Sequence, residues 1–344
     1  MKVSVVNTEK ALNLEWRVYL ENSPALGTVL TSIIKSELIN AEYLINCMSN
    51  YYDLQTKIPR INIDGFLGSK NISSKLYYDP KDMTINIKDQ LILKFFSNKN
   101  SIELENTRNE FLWGIAHEFF HHGRNHIAIW NHYGIKENDA SSKHNHILLC
   151  LEDDADNLAT TAIYRYFLNI VHKRSDSYTI KLKVLASLYK TIRTKIQETK
   201  NHVATTHPGW NTRLCSQIIK LSELDNVFND PLCPKVRVTN YTINQQNWLT
   251  HELIKMEKDF CDDLELIHYI LKPVNPSKDG KILNKIDSEV PLMPITQRFS
   301  DLFDLNESFK EVEKLIKKNC NLPGLNRFGD WMQWQPKLAQ SNIF

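Results

Sequence analysis

This sequence predicts a mainly helical α+β fold, and three observations carry that expectation. Apolar residues recur at helical spacing through several segments of twenty residues or more. Between residues 58 and 87 the spacing shortens to alternation around a proline-containing turn. No internal repeat or low-complexity tract points to a solenoid or a disordered linker. The chain has 344 residues, enough for one large domain or two smaller ones, each with its own core.

Taken in order, residues 25–50 read as the first long helix. Ile58–Asp64 alternates as a strand. Lys75–Tyr78 and Met83–Ile87 flank Asp79-Pro80-Lys81-Asp82, which has the composition of a hairpin turn. In the second arm Met83, Ile85 and Ile87 alternate with Thr84 and Asn86, so one face is buried. A helix is expected from Thr107 to His126, followed by the polar loop ENDASSKHNH, which holds His144 and His146 in solvent. The next helix carries the apolar stripe Leu148, Leu149, Leu151, Ala155, Leu158, Ala159, Ala162 and Ile163. Residues 178–200 form another amphipathic helix, and THPGW marks a break after it. Past Asp225, NDPLCPKVRV is a proline-broken connector. Asn247–Leu271 and Leu302–Lys318 read as helices separated by a loop, and the tail carries Trp331 and Trp334.

The chemistry concentrates in the run FLWGIAHEFFHHG, where His117-Glu118-Phe119-Phe120-His121 has the form H-E-x-x-H. Residues four apart on a helix lie about 40° apart around its axis. His117 and His121 therefore point the same way and can share one metal ion. Glu118 lies about 100° round from His117, close enough to take a proton from a water beside that ion. An amphipathic helix with two surface histidines would give the same five residues, so the pattern needs support from elsewhere. Leu112, Ile115 and Phe119 fall on the opposite face and are expected to hold the helix in the core. Gly114 lies one turn before His117 on nearly the same face. Its missing side chain admits substrate or a neighbouring strand, or else serves tight helix packing.

About thirty residues on, the chain reads CLEDDADNLATTAIYRYF. A two-His, one-Glu zinc site needs a carboxylate from a second helix, and gains from another carboxylate that orients a ligand imidazole. Glu152 suits the first role and Asp156 the second, because spacing four sends both toward one neighbour. Asp153 and Asp154 point to other sides. Acidic residues are also common at solvated helix starts; that accounts for four acids but not for two of them on the stripe of Ala155 and Ala159.

HEFFH followed by EDDAD resembles the gluzincin arrangement of zinc metallopeptidases, H-E-x-x-H and then E-x-x-x-D. Within that group, AHEFFHHGRNH and LEDDADNLA are most similar to the Lit-type phage-exclusion peptidases, over roughly residues 107–215. The resemblance implies a zincin-like core with a small N-terminal sheet and a metallopeptidase domain over residues 1–224. It implies Zn2+ on His117, His121 and Glu152, with Glu118 as base and Asp156 behind an imidazole. Lit-type members cleave elongation factor Tu when a phage signal appears, so the implied partner is a protein substrate of that kind. Residues 225–344 would then be a helical region for substrate or trigger recognition, or packing that completes the domain.

The remaining histidines divide by spacing. A metzincin pattern fails, because Gly123 and His126 each fall one residue short of the required positions after His121. On a continuous helix His122 and His126 rotate to the far side and read as packing or solvent-facing; a break at Gly123 would return His126 to the site. His207, in T-H-P-G-W-N-T-R, and Arg213 are candidates for stabilising the oxyanion of a tetrahedral intermediate. The plainer reading is a helix N-terminal turn, with Arg213 in an ion pair. His251 is followed four residues later by Lys255, so no second ligand stands there. Nothing marks Tyr164 or Tyr166 as catalytic.

Composition excludes several classes. Lys+Arg total 42 and Asp+Glu 40, for a net charge of +2 with no long basic stripe, so nucleic acid is not the indicated partner. The N-terminal sequence lacks a secretory signal's apolar core, and no apolar run is long enough to span a bilayer. The six cysteines are widely spaced without a C-x-x-C pair and read as reduced thiols of a cytoplasmic protein. The expected function is a zinc-dependent endopeptidase acting on a cytosolic protein. A zinc-stabilised sensor on a degenerate protease fold and a metal-dependent hydrolase of a non-peptide bond are the alternatives.

Overall fold

The alternating segments become a small sheet, and the helical stripes become the layer packed against it. The computed structural model describes residues 13–23, 26–65, 76–97, 101–134, 142–171, 175–198 and 210–224, with isolated positions between 245 and 256 and between 314 and 322. The strands are β1 (Asn13–Glu15), β2 (Arg60–Asp64), β3 (Leu76–Asp79) and β4 (Thr84–Lys88). Their order in the sheet is β1-β2-β4-β3. β1 pairs antiparallel with β2, β2 runs parallel to β4, and β3 pairs antiparallel with β4. The β3–β4 hairpin is the one the sequence predicts. Its turn is held by the Lys81 N–H, which donates to Asp79 Oδ1 at 2.9 Å, and by Met83 in the left-handed region at φ 50°. Ile61 and Ile63 face Ile85 and Ile87 across the parallel pair, and all four are buried.

The helices are α1 (Trp16–Glu21), α2 (Thr28–Tyr51), α3 (Asp89–Phe96), α4 (Ser101–Gly123), α5 (His126–His132), α6 (Ser142–Tyr166), α7 (Ser177–Glu198) and α8 (Trp210–Glu223). A π-helical turn, Phe167–Val171, follows α6. The architecture is thus mainly helical α+β with a small mixed sheet. α4 lies at its centre, against α2, α6 and α7 on its helical side and β3 on its sheet side. Phe111, Leu112, Ile115, Phe119 and Phe120 fill its buried face. Full burial of each such side chain contributes about 1.5–3 kcal/mol, which anchors the helix carrying the H-E-x-x-H motif. The α6 stripe is buried as expected at Leu148, Leu151, Ala155, Leu158, Ala159, Ala162 and Ile163.

Three expectations change. The helix expected over Thr107–His126 begins earlier and ends at Gly123; Asn125 takes a left-handed conformation, φ 54° and ψ 44°, and α5 starts afresh at His126. The polar stretch holding His144 and His146 is not all loop, since α6 already begins at Ser142. A further strand, β1, joins the sheet on the free side of β2. Parts of the two C-terminal helices are helical where described, at residues such as Trp248, Leu253, Lys314 and Lys318; Trp331 and Trp334 lie outside the described residues. Cys47 and Cys150 are buried free thiols, and Cys320 is partly buried. Among the described residues no helix is long and apolar enough to cross a membrane.

Candidate metal centre

α4 and α6 cross so that His117 and His121 from one meet Glu152 from the other. His117 Nε2 lies 3.0 Å from His121 Nε2. Glu152 places Oε2 3.3 Å from His117 Nε2 and Oε1 3.5 Å from His121 Nε2. These three side chains form a group able to hold a metal ion. A tetrahedral ion with ligand bonds of about 2.0–2.1 Å separates its ligand atoms by about 3.3 Å, close to the 3.0 Å between the two imidazole nitrogens and the 3.3 Å from His117 Nε2 to Glu152 Oε2. Two imidazole nitrogens and a carboxylate oxygen this close need a hydrogen or a cation among them. His117 reports the same demand: burial opposes its charge, yet the Asp156 and Glu152 carboxylates outweigh burial and raise it to about 10. The donor set therefore fits a divalent ion.

Each imidazole is held from behind. His117 Nδ1 lies 2.8 Å from Asp156 Oδ1. Arg213 clamps that same carboxylate, donating from Nε at 2.7 Å and from Nη2 at 2.6 Å. Burial opposes ionisation of Asp156, and Arg213 and His117 overcome it, holding the carboxyl below its ordinary value. Arg213 is thus the ion-pair partner that the plainer sequence reading expected. Trp113 covers this arm. Its ring centroid lies 5.6 Å from that of His117 with the planes tilted by 31°, and its Nε1 donates to Thr160 Oγ1 at 3.0 Å.

His121 has a different support. Because the chain breaks at Gly123–Asn125, His126 returns beneath it rather than rotating away, with Nδ1 2.9 Å from His121 Nδ1. His126 Nε2 lies 3.1 Å from Asp154 Oδ2, and Asp154 accepts from Arg124 at 2.8 and 3.2 Å. Arg124, His126 and Asp154 are at most 1 % exposed, so Asp154 is no solvated acid of a helix start. Burial opposes its ionisation, but Arg124 and His126 hold its carboxyl well below the usual range.

Glu118 stands beside the group on α4. One oxygen accepts the Tyr78 backbone N–H at 2.8 Å. Burial pushes the carboxyl up to about 7, with His117 pulling the other way and Glu152 adding to the rise. A turn later His122 packs on Tyr78; the Tyr78 hydroxyl lies 2.6 Å from His122 Nδ1, and His122 Nε2 is 3.0 Å from Lys57 O. His122 is a buried packing residue. The missing side chain of Gly114 admits β3, since a Cβ there would sit 2.7 Å from Leu76 Cδ2. The strand, rather than a packed helix, occupies that space.

His207 lies outside the described residues, and so do the side chains of His144 and His146. His251 is exposed. The sequence reading set Asp154 aside, gave Arg124 no role and returned His126 only through a break at Gly123; the glycine and asparagine at 123 and 125, both residues that tolerate left-handed backbone, were the local signal for that break. No family model, curated protein or solved structure matches this chain.

Proposed function

We propose that the protein is a zinc-dependent endopeptidase that hydrolyses a peptide bond in a protein substrate. The observation that carries this reading is the placement of Glu118, a half-buried carboxylate one residue from His117 whose Oε2 accepts the Tyr78 N–H at 2.8 Å; its raised affinity for a proton agrees with it. A site that merely holds a structural ion has no use for a base there. Such sites also fill four protein positions, often with Cys, whereas here two imidazoles and one carboxylate converge. That donor set favours zinc.

Zinc held by His117, His121 and Glu152 would supply Lewis acidity, polarising a substrate carbonyl and easing deprotonation of a nearby water. Glu118 takes that proton on its carboxylate and returns it to the leaving nitrogen. Its raised affinity for a proton suits both halves of that transfer. Tyr78 keeps the carboxylate aimed from the sheet side. Asp156 orients His117 through Nδ1, and Arg213 keeps Asp156 ionised.

The phrases HEFFH and EDDAD support a zincin-like core of the Lit type. By that resemblance the substrate is a cytoplasmic translation factor, with elongation factor Tu the first to try, and the setting is phage exclusion or defence. Purified protein is expected to carry about one zinc per chain. Glu118→Gln should keep the zinc and lose cleavage by about 10²-fold or more. Comparing the proteomes of cells holding either form should reveal a host-protein fragment only with the unmodified chain. Full cleavage by Glu118→Gln would remove this residue as the base. An intact biological effect without cleavage would favour the zinc-stabilised sensor.

A further inference from the structure

We infer that His126 is a positioning residue for the metal centre: it fixes the ring of His121 through a directed hydrogen-bond chain that ends on Asp154 and Arg124. The inference rests on the reading of His121 as a metal ligand and adds a role for three buried residues outside the ligand set.

The geometry permits one arrangement of protons. His121 turns Nε2 toward His117 and Glu152, so as a ligand it carries its hydrogen on Nδ1. That N–H faces His126 Nδ1 at 2.9 Å, which must accept. The hydrogen of His126 then sits on Nε2, where it donates to Asp154 Oδ2 at 3.1 Å. Asp154 can only accept, because Arg124 donates to both of its oxygens. Every link has one donor and one acceptor, and neither imidazole needs to change charge. The carboxylate on this side thus reaches its ligand through an inserted imidazole, whereas Asp156 touches His117 directly.

The backbone is built for the insertion. Asn125 in the left-handed region ends α4 and starts α5 at His126, which brings that ring under the helix it has just left. Its side-chain amide donates to Asn319 O at 3.1 Å, and the Arg124 N–H donates to Phe120 O at 2.9 Å. The turn is therefore held on both sides. His126 is 1 % exposed, so an unsatisfied ring nitrogen there would be costly.

Two measurements on the full-length protein test this. In the zinc-loaded wild type, long-range ¹⁵N–¹H spectra of the histidine rings should show His126 as the neutral tautomer with its hydrogen on Nε2. A hydrogen on Nδ1 would break the chain and overturn the inference, with no variant required. His126→Phe keeps a ring and removes both nitrogens. It should weaken zinc binding, read by competition with a chromophoric chelator, by about 10- to 100-fold, and should shift the visible bands of the cobalt-substituted protein. His126→Gln offers an acceptor and a donor again and should recover much of both. Wild-type affinity and cobalt bands in a folded His126→Phe would also overturn it. Failure of the metal reading itself would look different, because the wild type would then bind no zinc.

Discussion

Gly65 and Gly114 show how differently two glycines of one fold can be constrained. Gly65 ends β2 with φ +132°, and an added Cβ would lie 2.7 Å from Asp89 Oδ1 and 2.9 Å from its Cγ. Asp89 is buried and already bonded to the Gln90 N–H, so it has little room to yield. Gly114 has ordinary helical backbone, and its added Cβ would meet only the tip of Leu76, which can rotate. Gly65→Ala should therefore cost about 1–3 kcal/mol through a backbone conformation that alanine resists. In Gly114→Ala a helix-propensity gain of about 1 kcal/mol offsets the displacement of Leu76, and the net change should be smaller. Urea unfolding of both variants ranks them; a larger loss at Gly114 would mean that β3 cannot give at that point.

At the scale of elements, β3 and α4 are aligned by three contacts a helical turn apart: Leu76 on Gly114, the Tyr78 N–H on Glu118, and the Tyr78 hydroxyl on His122. Tyr78→Phe separates the last two. It keeps the backbone donor to Glu118 and leaves buried His122 Nδ1 without its hydroxyl. The expected result is a stability loss of about 1–3 kcal/mol, with the proposed cleavage by the folded variant little changed; an activity loss as large as that of Glu118→Gln would show that the hydroxyl also serves the proposed chemistry. Elements of this kind were legible in the sequence where periodicity is local. The hairpin, the α4 core face and the α6 stripe follow from alternation and from three-to-four spacing, and the trio of His117, His121 and Glu152 follows from spacing four on two helices. The parallel pairing of β2 with β4 depends on which strands meet across twenty residues, and no local pattern records that. The path of His126 turned on one left-handed asparagine, a choice that a continuing helical pattern conceals. Arg124 and Asp154 have the composition of surface residues and are buried only because they neutralise each other.

Over the whole molecule, residues 319–322 reach back to the end of α4. The Asn321 N–H donates to Gly123 O, and Asn321 O accepts from the Gln55 N–H, both at 2.9 Å. Residue 321 thus bridges the connection between α2 and β2 and the turn that ends α4. Leu322 is fully buried against Gly123, where an added Cβ would come within 2.5 Å of its Cδ1. That glycine is needed for the close approach of Leu322, while the break that returns His126 belongs to Asn125. A segment so placed ties the end of α4, with His121 two residues before Gly123, to chain almost 200 residues further on. Leu322→Ala should then cost about 2–5 kcal/mol as a buried truncation. Because the contact supports the helix bearing His117 and His121, release of the proposed zinc and tryptophan fluorescence should shift together to lower denaturant. If the C-terminal region instead unfolds as an independent lobe, the variant will lower an earlier fluorescence transition and leave the midpoint of zinc release where it was.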